Sequence, residues 1–229
     1  MRNTTYHNKH IFMKFKLILC QVLIFSNLIY PSRIQGQDAG YRPGLLFRED
    51  WKEIPAEIPV TQEHVNHPDL LLDLYGQTRD SIKKSHHDQP ADDPYYIWSG
   101  LCRTNWAVAL SYRDHRMDLS EFSKIRWRTK QAGLRELHIL LKLEDGTWLV
   151  SQQGDPASAD WRIREFNLED INWYTIDMGT ITEERAVHDP DLSRVEAVGF
   201  TDLMRGGGSA ACSRLDWIEI YGYLVPVEP

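Results

Sequence analysis

The sequence predicts an all-β protein, an antiparallel β-sandwich of jelly-roll type in which helix plays almost no part. Three observations predict it. Asn105–Arg113, Lys124–Lys130 and Leu137–Leu143 alternate apolar and polar residues with a period of two, the mark of half-buried strands. Asp145-Gly146 follows the last of these runs, where a tight hairpin turn favours that pair. Only Leu168 to Asn172 reads as helical, and for a single turn.

The elements follow in order. Residues 1–36 read as a signal peptide: Lys14 and Lys16 form a positive start, Leu17 to Tyr30 an apolar stretch, and Ser32 and Gly36 are small residues at candidate cleavage positions. Gln21, Ser26 and Asn27 within the stretch argue against a retained membrane span, and the bulky Leu19 before Cys20 argues against a lipid anchor. The protein is therefore expected to be secreted or periplasmic, with residues 37–229 as one sandwich domain. Leu45–Trp51 and Leu70–Tyr75 are the strands of an irregular first third that Pro55, Pro59, Pro68, Pro90 and Pro94 interrupt. In Asn105–Arg113, Trp106, Val108, Leu110 and Tyr112 share one face. In Lys124–Lys130, Ile125, Trp127 and Thr129 share one face, and in Leu137–Leu143 Leu137, Ile139, Leu141 and Leu143 do. Thr147–Gln152, Trp161–Leu168, Arg194–Leu203 and Arg214–Leu224 complete the strands.

Charge restricts the partners. The chain of 229 residues carries 26 Lys and Arg against 33 Asp and Glu. The leader holds five basic residues (Arg2, Lys9, Lys14, Lys16, Arg33) and no acidic one, so the exported domain has 21 against 33, a net charge of −12. Nucleic acid is not the expected partner, because phosphate backbones call for basic excess. Cys102 and Cys212 remain after export. A disulfide would close a loop of roughly 110 residues, worth about 4–5 kcal/mol, and two buried thiols are the equal alternative.

Two groups of residues offer chemistry. On the polar face of Lys124–Lys130 stand Lys124, Arg126, Arg128 and Lys130, with His138 and Lys142 on the expected hairpin partner. Such a face is either a solvated sheet surface or a cationic trough for uronate or sulfate groups, which Arg binds in bidentate fashion. The second group is Lys84-Ser85-His86-His87-Asp88 with Tyr95, Tyr96, Trp98 and Arg103. Its histidines are either idle in an exposed loop or proton carriers near neutral pH, and Tyr96 and Trp98 share a strand face as a sugar platform. A zinc site on His86 and His87 is disfavoured, since adjacent side chains of an extended segment point apart. Asp50 and Asp216 are candidates for a structural calcium site, on two carboxylates alone. No carboxylate pair of glycosidase type stands out. The Arg205-Gly206-Gly207-Gly208-Ser209 loop lacks the strand-to-helix setting of a phosphate loop.

Asp118-Leu119-Ser120, followed by Lys124-Ile125-Arg126-Trp127-Arg128, resembles the entry to a middle strand of galactose-binding-like carbohydrate modules. Val198-Gly199-Phe200 and Leu215-Asp216-Trp217-Ile218-Glu219-Ile220-Tyr221-Gly222 are similar to their last two strands. The resemblance spans about residues 95–224 and implies a galactose-binding-like sandwich, a fold that hosts binders and enzymes alike. Leu46-Phe47-Arg48-Glu49-Asp50-Trp51-Lys52-Glu53-Ile54-Pro55 and Lys83-Lys84-Ser85-His86-His87-Asp88 look like stretches of small secreted oligosaccharide dehydratases of ulvan-utilisation systems. That resemblance implies loss of water from a uronic acid at the non-reducing end of a sulfated oligosaccharide, leaving a 4,5-unsaturated uronyl residue, with no organic cofactor. Taking the C5 proton requires a cation on the neighbouring carboxylate, for which Arg103, Arg113 or Lys84 are available. His86 or His87 is the expected base and Tyr96 the acid that protonates the leaving hydroxyl. The rival expectation is a non-catalytic module for anionic polysaccharide, favoured by the fold and the eight tryptophans; a structural or interaction domain is a third.

Overall fold

The computed structural model describes residues 42–204 and 211–227. The expected signal peptide, Cys20 and the Arg205–Ser209 loop lie outside the described residues. Among the described residues no helix is long and apolar enough to cross a membrane. Fourteen strands occur there: β1 (Gly44–Glu49), β2 (Leu70–Tyr75), β3 (Lys83–Ser85), β4 (Tyr96–Trp98), β5 (Trp106–Tyr112), β6 (His115–Asp118), β7 (Lys124–Thr129), β8 (Leu137–Leu143), β9 (Trp148–Asp155), β10 (Arg162–Asn167), β11 (Trp173–Asp177), β12 (Thr182–Val187), β13 (Val195–Asp202) and β14 (Arg214–Pro226). The single expected helical turn is a short 3-10 turn at Leu168–Asp170.

The strands form an antiparallel β-sandwich. The first sheet runs β10–β7–β14, with β1 and β4 sharing the far side of β14 and β3 beyond β4. The second runs β2–β5–β13–β8–β9–β11–β12. Strand β14 belongs to both. Leu215–Tyr221 pairs with β7, and Tyr223–Pro226 then pairs with β6. Gly222 marks the crossing because a Cβ there would lie 2.6 Å from the Asp118 carbonyl oxygen.

The period-two pattern reappears as the core. Ile125 and Trp127 of β7, with Leu215, Ile218 and Ile220 of β14, face Val108 and Leu110 of β5, Ile139 and Leu141 of β8, and Val198 and Phe200 of β13. Trp127 is fully buried and meets Phe166 edge-on at 5.3 Å; such an aromatic contributes several kcal/mol when it is buried without strain. A smaller cluster of Leu140, Val150, Ile176 and Ile181 packs on the second sheet's outer face.

One expectation changes, and one of two open alternatives is met. Strand β8 is not the hairpin partner of β7: β7 pairs with β10 and β14, and β8 with β13 and β9. The chain between them crosses from one sheet to the other, so His138 and Lys142 sit on the second sheet. Cys102 is a buried thiol and not half of a disulfide. Its Sγ donates to the Thr78 carbonyl at 3.7 Å, and burial pushes it up to about 12.

Candidate functional site

The outer face of the first sheet carries a cavity of about 890 Å³. Its floor is Arg48 of β1, Arg128 of β7, and Asp216 and Trp217 of β14. Its walls are Asp50, Trp51, Glu53 and Asn66 on one side, and His86 with Ala91 to Tyr95 on the other. The second wall is the Pro-bounded loop between β3 and β4, folded back against the sheet.

Local chemistry fixes both walls. Glu49 is fully buried and accepts the N–H groups of Trp51 at 2.7 Å, Asn66 at 2.8 Å and His67 at 2.9 Å. It thereby pins two cavity residues and holds Trp51 at φ 57°, a left-handed conformation rare for an aromatic residue. Burial pushes its carboxyl pKa up, and the three N–H groups oppose that shift. On the other wall Asp93 clips the two histidines. Its carbonyl lies 3.0 Å from His86 Nδ1 and its carboxylate 2.9 Å from His87 Nδ1. A carbonyl only accepts, so Nδ1 of His86 carries a proton, and in the neutral ring Nε2 is the nitrogen with the lone pair. The His86 ring stacks on Tyr95 at 4.0 Å, with 11° between planes.

Of the two alternatives for this face the cationic trough is absent, because β10, β14 and the loop before β10 supply a carboxylate to every basic side chain of Lys124–Lys130. Lys124 lies 3.0 Å from Glu165, Arg126 3.1 Å from Glu219, Arg128 2.7 Å from Asp216 and Lys130 3.5 Å from Asp160. Arg48 pairs with Asp50 at 2.7 Å and Glu219 at 2.9 Å, and its guanidinium lies 4.2 Å over the Trp217 ring. Asp216 is only 6 % exposed, and burial raises its pKa to about 6 although Arg128 opposes this. Asp50 and Asp216, considered for calcium, are thus each held by an arginine. Among the described residues no group of three His, Cys, Asp or Glu is placed to hold a metal ion.

The predicted residues scatter. His86 lines the cavity, as does Arg128; Arg126 belongs to the ion-pair network of the same face. His87 is turned the other way: its Nδ1 lies 3.3 Å from Tyr96 Oη. Tyr96 is buried against Trp161 at 5.3 Å, and burial raises its pKa, which weakens it as an acid. Trp98 is half-buried outside the cavity, with Lys83 5.5 Å over its ring. Lys84 is fully buried, donates Nζ to the Ile54 carbonyl and sits 3.9 Å over Tyr95; burial lowers its pKa to about 8. It braces the wall from behind and does not line the cavity. Arg103 and Arg113 flank opposite ends of β5, on the order of 20 Å apart along an extended strand, so they serve no common carboxylate. His138 is held at 2.8 Å by the Ser151 carbonyl and Lys142 at 2.8 Å by Glu196, both on the second sheet. Arg48, Glu49, Trp51, Asp93 and Trp217 were not among the predicted site residues, and Tyr95 stood in the His-loop group without a role of its own. The one available signal was a charged Arg48-Glu49-Asp50 run at the end of an apolar strand.

No protein-family model matches the chain, and no characterised protein matches it in sequence. Among solved structures, the family 11 carbohydrate-binding module of the cellulosomal cellulase Lic26A-Cel5E of Clostridium thermocellum is 14% identical with a TM-score of 0.41, covering 79% of this chain and 95% of that one. The carbohydrate recognition domain of Emp47p is 12% identical with a TM-score of 0.36, covering 74% and 94%. TmCBM61, solved with β-1,4-galactotriose, is 12% identical with a TM-score of 0.34, covering 68% and 88%. Likenesses this distant assign neither a family nor a ligand to the chain.

Proposed function

We propose that the cavity on the first sheet binds a stretch of glycan through its hydroxyl groups. The observation that carries this reading is the lining itself. A half-buried aromatic ring, Tyr95, stands beside planar acceptors and donors: Asp50, Asp216, Asn66, Arg48 and Arg128. Sugar hydroxyls donate to carboxylates and accept from guanidinium groups, and the Tyr95 ring, covered by His86 and Lys84 on its two faces, holds the His86 wall in position for them. The ion pairs and the backbone bonds of Glu49 hold these groups in place before a ligand arrives, which lowers the ordering cost of binding.

The charge of the lining favours an uncharged saccharide over the anionic one expected from sequence. Asp50, Glu53, Asp92, Asp93 and Asp216 oppose only Arg48 and Arg128. A uronate must compete with Asp216 or Asp50 for an arginine, and meets repulsion from the rest. Calorimetry with neutral gluco-, galacto-, manno- and xylo-tetrasaccharides, and with oligouronates, tests the reading. Saturable binding of at least one neutral ligand, weakened about tenfold or more in Tyr95→Ala, is expected. Binding that ignores this substitution, or none to any ligand, overturns it.

Elimination of water from a uronate is the second reading, drawn from the place of His86 in the cavity lining with Nδ1 held by the Asp93 carbonyl. It requires a uronate carboxylate to displace Asp216 from Arg128. A conjugated-uronate absorbance and loss of one water in mass, both abolished by His86→Ala, support it. Intact oligouronate after long incubation rejects it.

A further inference from the structure

The cavity floor holds two arginine–carboxylate pairs, and they are not equivalent. Arg48 is spent: Nε and Nη2 bind Asp50, both of whose oxygens are taken, and Nη1 binds Glu219 at 2.9 Å. Arg128 is not. Its one hydrogen bond runs from Nη1 to Asp216 Oδ2 at 2.7 Å, and Nε and Nη2 donate to nothing among the described residues. The other oxygen of Asp216, Oδ1, accepts nothing there either. None of these three atoms is among the sealed, unpartnered atoms of the fold, so each keeps accessible surface, and both residues line the cavity. The register of the sheet accounts for the pair. Leu215 and Ile218 of β14 are core residues three apart, and the pairing with β7 slips between Leu215 and Trp217. A strand alternates with period two, so the extra residue makes a bulge that sends Asp216 and Trp217 outward together. Trp217 lies under Arg48, and Asp216 is drawn down beside Arg128 to 6 % exposure.

A carboxylate buried this far with one oxygen filled is short of hydrogen bonds, and burial holds its pKa up at about 6. What enters the cavity meets an acceptor, Oδ1, and guanidinium donors on the residue beside it. Two neighbouring hydroxyls of a sugar ring answer both, one donating to Oδ1 and the other accepting from Nη2 or Nε. Other groups fit worse. A carboxylate sets two anionic oxygens against each other, an acetamido group turns its N–H and its carbonyl to opposite sides, and an ether or ester brings no donor. We infer that Arg128 and Asp216 are the specificity-determining pair of the cavity and select a sugar unit with free hydroxyls on two adjacent carbons, one given to Asp216 Oδ1 and the other held by Arg128. This selection rests on the cavity being a glycan site and adds which atoms of the sugar are read.

Fluorine accepts weakly and never donates, so it separates the two roles. The probes are D-glucose, D-galactose and D-mannose, each also with one hydroxyl in turn replaced by fluorine, titrated into the domain and followed by fluorine and amide NMR. For the sugar that binds, fluorine at one ring carbon is expected to weaken binding about tenfold or more, because Oδ1 then loses its donor, and fluorine at the adjacent carbon to weaken it less. Asp216→Asn reverses the first effect. Its amide oxygen must face Arg128, so its NH2 group takes the place of Oδ1, and the fluorinated sugar is expected to regain about tenfold against its parent. A matching amide spectrum is the folding check, and the pattern in the native protein stands without the variant. Equal losses at every carbon, the main losses at carbons that are not neighbours, or an unchanged pattern in Asp216→Asn would each overturn the selection and leave the glycan site standing. Parent sugars that shift nothing where a neutral tetrasaccharide does would overturn it too, since a single unit carries the whole contact. No shift at residues 48–53 and 86–95 with any of these sugars, tetrasaccharides included, would remove the glycan site itself.

Discussion

Asp216→Asn measures how far the cavity strains its own floor. The native carboxyl titrates at about 6 against an ordinary 3.8, and burial is the main cause. The fold therefore favours the protonated form. That contribution is complete below about pH 3.8, is lost as pH rises through about 6, and amounts to roughly 3 kcal/mol for a shift of about two units. Asparagine is neutral at every pH and close in shape. Urea unfolding between about pH 4 and pH 7.5 should show the native protein losing on the order of 2–3 kcal/mol more than the variant. Glu49 and Asp202, whose pKa values burial also raises, titrate in both proteins and cancel in the difference. Loss of Arg128's partner shifts the variant's stability by a nearly constant amount, so the slope is the criterion. Parallel pH profiles would refute the reasoning.

Other outcomes follow from the same geometry. Oligouronate affinity should rise as pH falls from about 7.5 to about 5, because protonation of Asp216 removes a negative charge and releases Arg128; neutral ligands and Asp216→Asn should show no such rise, and calorimetry at several pH values checks this. Glu49→Gln should destabilise the domain by about 2 kcal/mol in urea, since a buried charged acceptor of three N–H groups is lost, and should weaken glycan binding with it; unchanged values in both would contradict its bracing role. Reductant should leave the unfolding midpoint unmoved, because Cys102 is a thiol; a disulfide would cost about 4–5 kcal/mol on reduction.

The strands that pack into the core were legible because their side chains alternate between two environments, as in β5, β7 and β8. The hairpin β11–β12 was not. Thr182–Val187 places Glu183, Glu184 and Arg185 in succession on an exposed edge, where charges discourage pairing with other chains and erase the alternation. Pairing partners were also hidden. Alternation gives the face of β7 but not its neighbour, and the Arg126–Glu219 pair joins residues 93 apart in sequence. The cationic trough failed for that reason: β14 and β10 bring carboxylates to the face that the local run showed as basic. In the His loop the structure turns a neighbouring residue to the cavity. Tyr96 and Trp98 share a face as expected, yet tertiary packing turns Tyr95 to the cavity and buries Tyr96 against Trp161.

The hollow over the first sheet, lined by carboxylates and guanidinium groups, is tested most directly by amide NMR of the domain with the neutral tetrasaccharide that binds best. Shifts gathered at residues 48–53, 86–95 and 216–217 are the predicted result. Shifts gathered on the outer face of the second sheet, around Trp148 and Lys142, would place the glycan elsewhere and contradict the account.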